Sequence, residues 1–175
     1  VTPRLWGPHA WFGLATVVAT FLADQFSKTW LIWGFRIAER GRVEVTPFLD
    51  LVMAWNLGIS YGLFPLESME GQLGLAAFKV VVSILLWLWL VRTSDWLTAC
   101  GLALIIGGAL GNAVDRVVYG GVADFFSLHL RGIGSNFHWY VFNVADVAIV
   151  AGVGVLLYES LLRKRPPGEA ASRKE

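Results

Sequence analysis

Two aspartates, Asp124 and Asp146, stand beside strongly apolar stretches, in the blocks GGALGNAVDRVVYGGVADFF (107–126) and FNVADVAI (142–149). A carboxylate next to hydrocarbon is costly unless it is paired, hydrated or neutralised, so it is read first as functional. Neither aspartate has a basic residue at helical spacing, and no metal-ligand cluster accompanies them in the sequence. Two such carboxylates suggest an aspartyl hydrolase working at the edge of a membrane.

The other polar residues of the apolar segments follow helical spacing. Asp24 and Lys28 are i,i+4 with the acid first, the favourable order for a pair. Asn112 stands i,i+3 from Asp115 and i,i+4 from Arg116, and Asn143 is i,i+3 from Asp146. Lys79 reads as a snorkelling lysine, its stem in hydrocarbon and its ammonium at the interface. His9, His129 and His138 lack zinc-site spacing and read as satisfied loop residues. Ser27 and Lys28 are adjacent on a helix and face apart, which disfavours a Ser/Lys dyad.

The elements that must carry these residues are membrane spans. Of the 175 residues, 56% are hydrophobic and only 15% charged, against about 25% charged in soluble domains. Four apolar segments, at about 11–33, 69–91, 96–119 and 139–162, are each long enough to cross a bilayer. The first is read as a retained span and not a cleaved leader, since it is long and carries Asp24 and Lys28. Arg4, Arg92, Arg163, Lys164, Arg165, Arg173 and Lys174 on one side, against Arg36, Arg40, Arg42 and Arg131 on the other, put both termini in the cytoplasm. The expected fold is therefore a mainly α membrane protein of four transmembrane helices. It forms a single domain over 1–165, with a flexible cytoplasmic tail over 166–175.

The outer segments, about 34–68 and 120–138, carry alternating patterns that predict a small extramembrane β-sheet. One hairpin is expected around Glu39-Arg40-Gly41, an extended run over 48–54, and a strand through Phe126, Leu128 and Leu130. Ala103, Gly107 and Gly111 form a small-residue seam on the third span, as do Ala148 and Gly152 on the fourth, so close helix contacts are expected there. At about 1.5 Å rise per residue, the polar residues of the first, third and fourth spans all fall in the outer half of the bilayer. The net charge of +1 argues against nucleic acid as a partner. Cys100, the single cysteine, excludes an intramolecular disulfide.

Four blocks in order resemble the bacterial lipoprotein signal peptidase (signal peptidase II) family: DQFSK at 24–28, NLGISYGLF at 56–64, GGALGNAVDRVVYGGVADF at 107–125 and FNVADVAI at 142–149. The third block followed by FNVAD is the specific part; DQFSK alone is weak. Ile59 and Tyr61 depart from the family's usual residues, as does the lack of a proline before Phe142. The resemblance implies a membrane aspartyl endopeptidase with Asp124 and Asp146 as catalytic dyad. It makes Asp24, Lys28, Asn56, Gly58, Asn112, Asp115, Arg116, Asn143 and Ala145 substrate-binding or supporting positions.

The implied substrate is a diacylglyceryl-modified prolipoprotein, cut just before the lipidated cysteine at the outer face of the bacterial inner membrane. Membrane lipids and lipopeptide inhibitors are the other implied partners, and no metal or other cofactor is implied. Two close acids in low dielectric hold one proton between them, which suits acid and base catalysis by one pair. The segment 56–64, with Gly58 and Gly62, is the expected lid. Rival readings are a small proton- or cation-coupled transporter, which needs a polar path through the inner half of the spans, and a non-catalytic lipopeptide-binding protein.

Overall fold

The computed structural model describes residues 6–58, 66, 68–130 and 137–162. The sequence-derived tail, 166–175, lies outside them, as do 59–64 of the expected lid. Helix α1 (Ala10–Thr29) continues through a π-helical turn, Trp30–Gly34, into a single helical turn, α2 (Ile37–Arg40). Strands β1 (Val43–Thr46) and β2 (Leu49–Asn56) follow, then the long helices α3 (Met69–Leu90) and α4 (Trp96–Tyr119). Strands β3 (Val122–Leu130) and β4 (Phe137–Phe142) lead into the last helix, α5 (Val144–Leu162). Among the described residues, α3, α4 and α5 are long and apolar enough to cross a membrane.

Helix α4 is the axis of the bundle, with α1, α3 and α5 packed around it. Small residues dictate that arrangement, and they form two seams rather than one. Gly107 and Gly111 face α1, where an added Cβ would meet Val17, Thr20 and the carboxylate of Asp24. Gly101 and Gly108 face α5 and lie against the carbonyls of Gly152 and Ala145. Backbones that approach this closely fix the helix register, so they also fix which side chains meet at the end of the bundle next to the sheet, the outer end, the opposite one being the inner end. The inner end is filled by Ala10, Val17, Leu90, Ala99, Leu102 and Ile106. Five exposed tryptophans lie near helix ends, Trp11, Trp89 and Trp96 on one side and Trp30 and Trp33 on the other, as interfacial belts would place them.

The strands form one antiparallel sheet in the order β1-β2-β3-β4. Its apolar face packs Leu31, Ile37, Ala123 and Phe125 together, which ties the sheet to the outer end of α1. Two sequence expectations change here. The hairpin expected around Glu39-Arg40-Gly41 is instead the helical turn α2, entered through a left-handed Arg36 (φ 55°) and left at Gly41 (φ 69°). Arg40 favours this turn by donating to the carbonyl of Phe35 (2.8 Å) while its guanidinium lies 4.4 Å from the centre of that ring. The true hairpin is β1–β2, pairing Val43 with Leu51. The fourth helix starts at Val144, not near Trp139, because the preceding residues pair with β3, Phe142 opposite Phe126.

Candidate active site

Asp124 reaches the site from a strand. Gly120, left-handed at φ 72°, ends α4 and turns the chain into β3, where Asp124 pairs opposite Ala54 of β2. Asp146 sits in the first turn of α5, held by a reciprocal cap. The Asn143 amide N–H donates to Asp146 Oδ2 (3.2 Å), and the Asp146 N–H donates to Asn143 Oδ1 (3.0 Å). This is the logic of a capping box, with an asparagine and an aspartate three residues apart.

Behind the carboxylates lies a buried polar network. The three protons of the Lys28 ammonium match Asp24 Oδ2 (2.8 Å), Asp115 Oδ2 (2.8 Å) and Asn112 Oδ1 (3.0 Å). A lysine ammonium only donates, so the atom of Asn112 facing it must be the oxygen. The Asn112 NH2 therefore points the other way and donates to Asp146 Oδ1 (3.0 Å). The Asn143 NH2 donates to Asp124 Oδ1 (2.6 Å) and shares Asn112 Oδ1 (3.2 Å). Asn112 thus donates to Asp146 and Asn143 to Asp124, and the two asparagines touch.

The remaining sequence-derived residues converge on the same place. Asp24 Oδ1 accepts from the Ala145 N–H (2.9 Å), joining α1 to the start of α5. Asp115 Oδ2 accepts from the Ala123 N–H (3.2 Å), one residue before Asp124. Arg116 donates to the carbonyls of Asn112 (3.1 Å) and Gly58 (2.7 Å), although its neighbour in sequence is an acid. Asn56 Oδ1 accepts from the Gly58 N–H (3.0 Å), leaving its amide to donate to Asp124.

Asp124 is 3% exposed, whereas Asp146 lines a cavity of about 660 Å³ together with Asn56, Lys79, Asn112 and Arg116. Burial foremost, and then the charge of Asp146, push the Asp124 carboxyl up to about 7, against the opposing donors Asn143 and Asn56. One acid thus holds its proton near neutrality beside a second that faces the cavity.

Three features were missed in the sequence. Gln25, inside DQFSK, donates to both Asp24 Oδ2 (3.1 Å) and Asp115 Oδ1 (3.1 Å), and its motif position was the available signal. Gln72, 1% exposed, donates to the carbonyls of Leu57 (2.8 Å) and Leu66 (2.6 Å), closing the base of the loop between them. A glutamine in the first turn of an apolar helix was the clue. Asp50, fully buried in the sheet, pairs with Arg42 (3.0 Å) and faces His129 Nδ1 (3.4 Å). No spacing rule links those residues.

The family model for signal peptidase (SPase) II matches residues 16–162, a stretch that contains all eleven site residues expected from the sequence. The chain belongs to the signal peptidase II family. A lipoprotein signal peptidase of Nitrobacter hamburgensis is 54% identical over 151 residues, 86% of this chain and 92% of the relative. One from Rhodopseudomonas palustris strain TIE-1 is 51% identical over 86% of this chain and 92% of its own length. Two solved bacterial membrane enzymes share the fold. One aligns at TM-score 0.68 and 23% identity over 89% of this chain and 93% of its own. The other aligns at TM-score 0.70 and 24% identity over 88% and 94%. As a signal peptidase II, the protein is a membrane protease of the aspartic type.

Proposed function

We propose that this protein removes signal peptides from prolipoproteins, cutting before the diacylglyceryl-modified cysteine with Asp124 and Asp146 as its dyad. The carrying observation is the pair of carboxylates on separate elements, Asp146 anchored by Asn112 and Asp124 by Asn143 and Asn56, with Asp146 facing the cavity. Ionised Asp146 takes a proton from water as the water oxygen bonds to the scissile carbonyl carbon. Protonated Asp124 gives its proton to the carbonyl oxygen. On collapse the C–N bond breaks, the nitrogen leaves with a proton returned from the dyad, and the acyl side becomes a carboxylic acid. Asp24, Lys28, Asp115 and Asn112 hold Asp146 in place. Asn143, Asn56 and Ala145 position the dyad, while Arg116 and Gly58 shape the mouth of the cavity.

The fold reading that goes with this is four spans, α1 included, with both termini in the cytoplasm. Residues 1–165 act as one domain in the bacterial inner membrane, and the dyad lies near the outer leaflet. Exposed tryptophans at both ends of α1 support its span. The segment 56–64 acts as a lid over bound substrate and lipid. A transporter would need polar residues through the inner half of the bundle, which Ala99, Leu102, Ala103 and Ile106 fill. The experiment is incubation of the purified protein with a diacylglyceryl-modified prolipoprotein. Release of the signal peptide is expected from the parent and not from Asp124→Asn. Binding without release by the parent would leave the non-catalytic reading in its place.

A further inference from the structure

The cavity contains a charge that the family motifs do not account for. Lys79 lies on α3, outside all four motif blocks, and its side chain lines the same cavity as Asp146, Asn112 and Arg116. Asp146 and Arg116 are held by hydrogen bonds, whereas the Lys79 ammonium makes none, and no ion pair, with any described residue. The cavity thus lies within reach of this lysine, beside the headgroups of the sequence reading.

Its depth follows from helix register. Lys79 is 11 residues before the end of α3 at Leu90, and Gly107 is 11 residues after the start of α4 at Trp96. A short turn joins the two helices, so both stand about 17 Å from it, at about 1.5 Å per residue. The next α4 residue, Gly108, lies against the Ala145 carbonyl, one residue from Asp146. Lys79 and Asp146 are thus level on opposite flanks of α4, and their charges act on one another. Because α3 and α5 each pack on α4 and little on each other, the cavity between them is walled by Lys79 on one side and by Asp146 and Val150 on the other.

An ammonium held at this depth without a hydrogen-bonded partner is costly, and such groups mark ligand pathways. The scissile amide is neutral when it arrives. Its acyl side is released as a carboxylic acid, gives its proton to the free amine, and so becomes a carboxylate beside Asp146, where like charges in low dielectric repel strongly. The anion that matches Lys79 is therefore made by the reaction itself. Resting on the peptidase reading above, we propose that Lys79 binds the new C-terminal carboxylate of the cleaved signal peptide and draws it away from the dyad.

The test uses the full-length protein in neutral lipid, alone or with phosphatidylglycerol added, with prolipoprotein cleavage as the assay. Two synthetic peptides matching the segment before the cut compete, one ending in a free carboxylate and the other in a carboxamide. The parent is expected to be inhibited on the order of tenfold better by the carboxylate peptide. Lys79→Met should abolish that preference and Lys79→Arg should keep most of it. A parent that cleaves substrate yet treats the two peptides alike overturns the inference and leaves the peptidase reading standing, as does a preference that survives in Lys79→Met. An effect of Lys79→Met that tracks phosphatidylglycerol content, with the peptide preference intact, identifies a headgroup site and also overturns it. A parent that does not cleave at all removes the peptidase reading, and this inference with it.

Discussion

The two halves of α4 each bury one face, and they are built on opposite principles. In the inner half, Ala99, Leu102, Ala103 and Ile106 meet Leu90 and Val17 through apolar contacts. In the outer half, Asn112, Asp115 and Arg116 are buried just as deeply, but they are held by directed hydrogen bonds and ion pairs. Dispersion contacts are non-directional and worth about 0.1–0.2 kcal/mol per atom pair, so neighbours can readjust. A buried donor that loses its acceptor costs roughly 1–3 kcal/mol, more when charged, and leaves its partner free to turn. Burial alone therefore does not mark the site; directed contacts among buried groups do.

The largest effect should separate the halves by activity alone. Asp124→Asn and Asp146→Asn keep size and remove the titrating group, and turnover should fall by about 10²–10⁴-fold or more. Both variants should still be recovered folded from membranes. Leu102→Ala in the inner half should lower thermal stability and leave turnover per folded molecule unchanged. Near-normal cleavage by either asparagine variant would remove the dyad mechanism.

Next comes Arg116→Ala. It deletes a buried cation whose charge acts on Asp115, Asp124 and Asp146 and whose nitrogens tie α4 to Gly58. A loss of about 3–5 kcal/mol is expected for breaking such a buried charge system, read as poor yield and a lowered melting temperature. A variant as stable as the parent would mean that water reaches the guanidinium. That would end the contrast between the two halves.

A smaller effect tests whether the glycine seams set the site. A Cβ at Gly108 would sit 2.5 Å from the Ala145 carbonyl, whereas one at Gly154, on the same bundle, meets nothing within 4 Å. Gly108→Ala should cost about 1–3 kcal/mol by overpacking and reduce turnover as well, because Ala145 adjoins Asp146. Gly154→Ala should leave both unchanged. Equal behaviour of the two would show that the register is set elsewhere.

The smallest effect is a pH dependence. Asp124 keeps its proton below about 7 and loses it above. If it is the acid and Asp146 the base, kcat/KM should hold a plateau just below that value and be about half-maximal at it. Above that it should fall roughly tenfold per pH unit while the protein stays folded. The midpoint belongs to the pair rather than to one residue. A profile that rises through neutrality would reverse the assignment of acid and base.

Much of this was legible in the residues. Runs of apolar residues bounded by charge placed α3 and α4 to within a residue of the observed ends, because a span must satisfy its backbone within itself. The i,i+4 pair Asp24–Lys28 was legible for a similar reason, since one helix determines that contact. Pairings between elements were not legible. Asp115 has Arg116 as its sequence neighbour and Lys28, 87 positions away, as its ion partner. The outer hairpin was misplaced because Val43 could alternate with either flank. Only its register with Leu51 distinguishes the two.

The sequence by itself therefore determined the membrane class, the long apolar helices, and the residue types gathered at their outer ends. Those follow from hydrocarbon's intolerance of unpaired polar groups, which acts on each segment separately. The tertiary structure decided which carboxylate each asparagine holds, why Lys28 fixes the orientation of Asn112, and that Lys79 shares a cavity with Asp146. Those depend on helix register, set by glycines packed against backbone carbonyls. A periodicity within one segment contains no information about that distance.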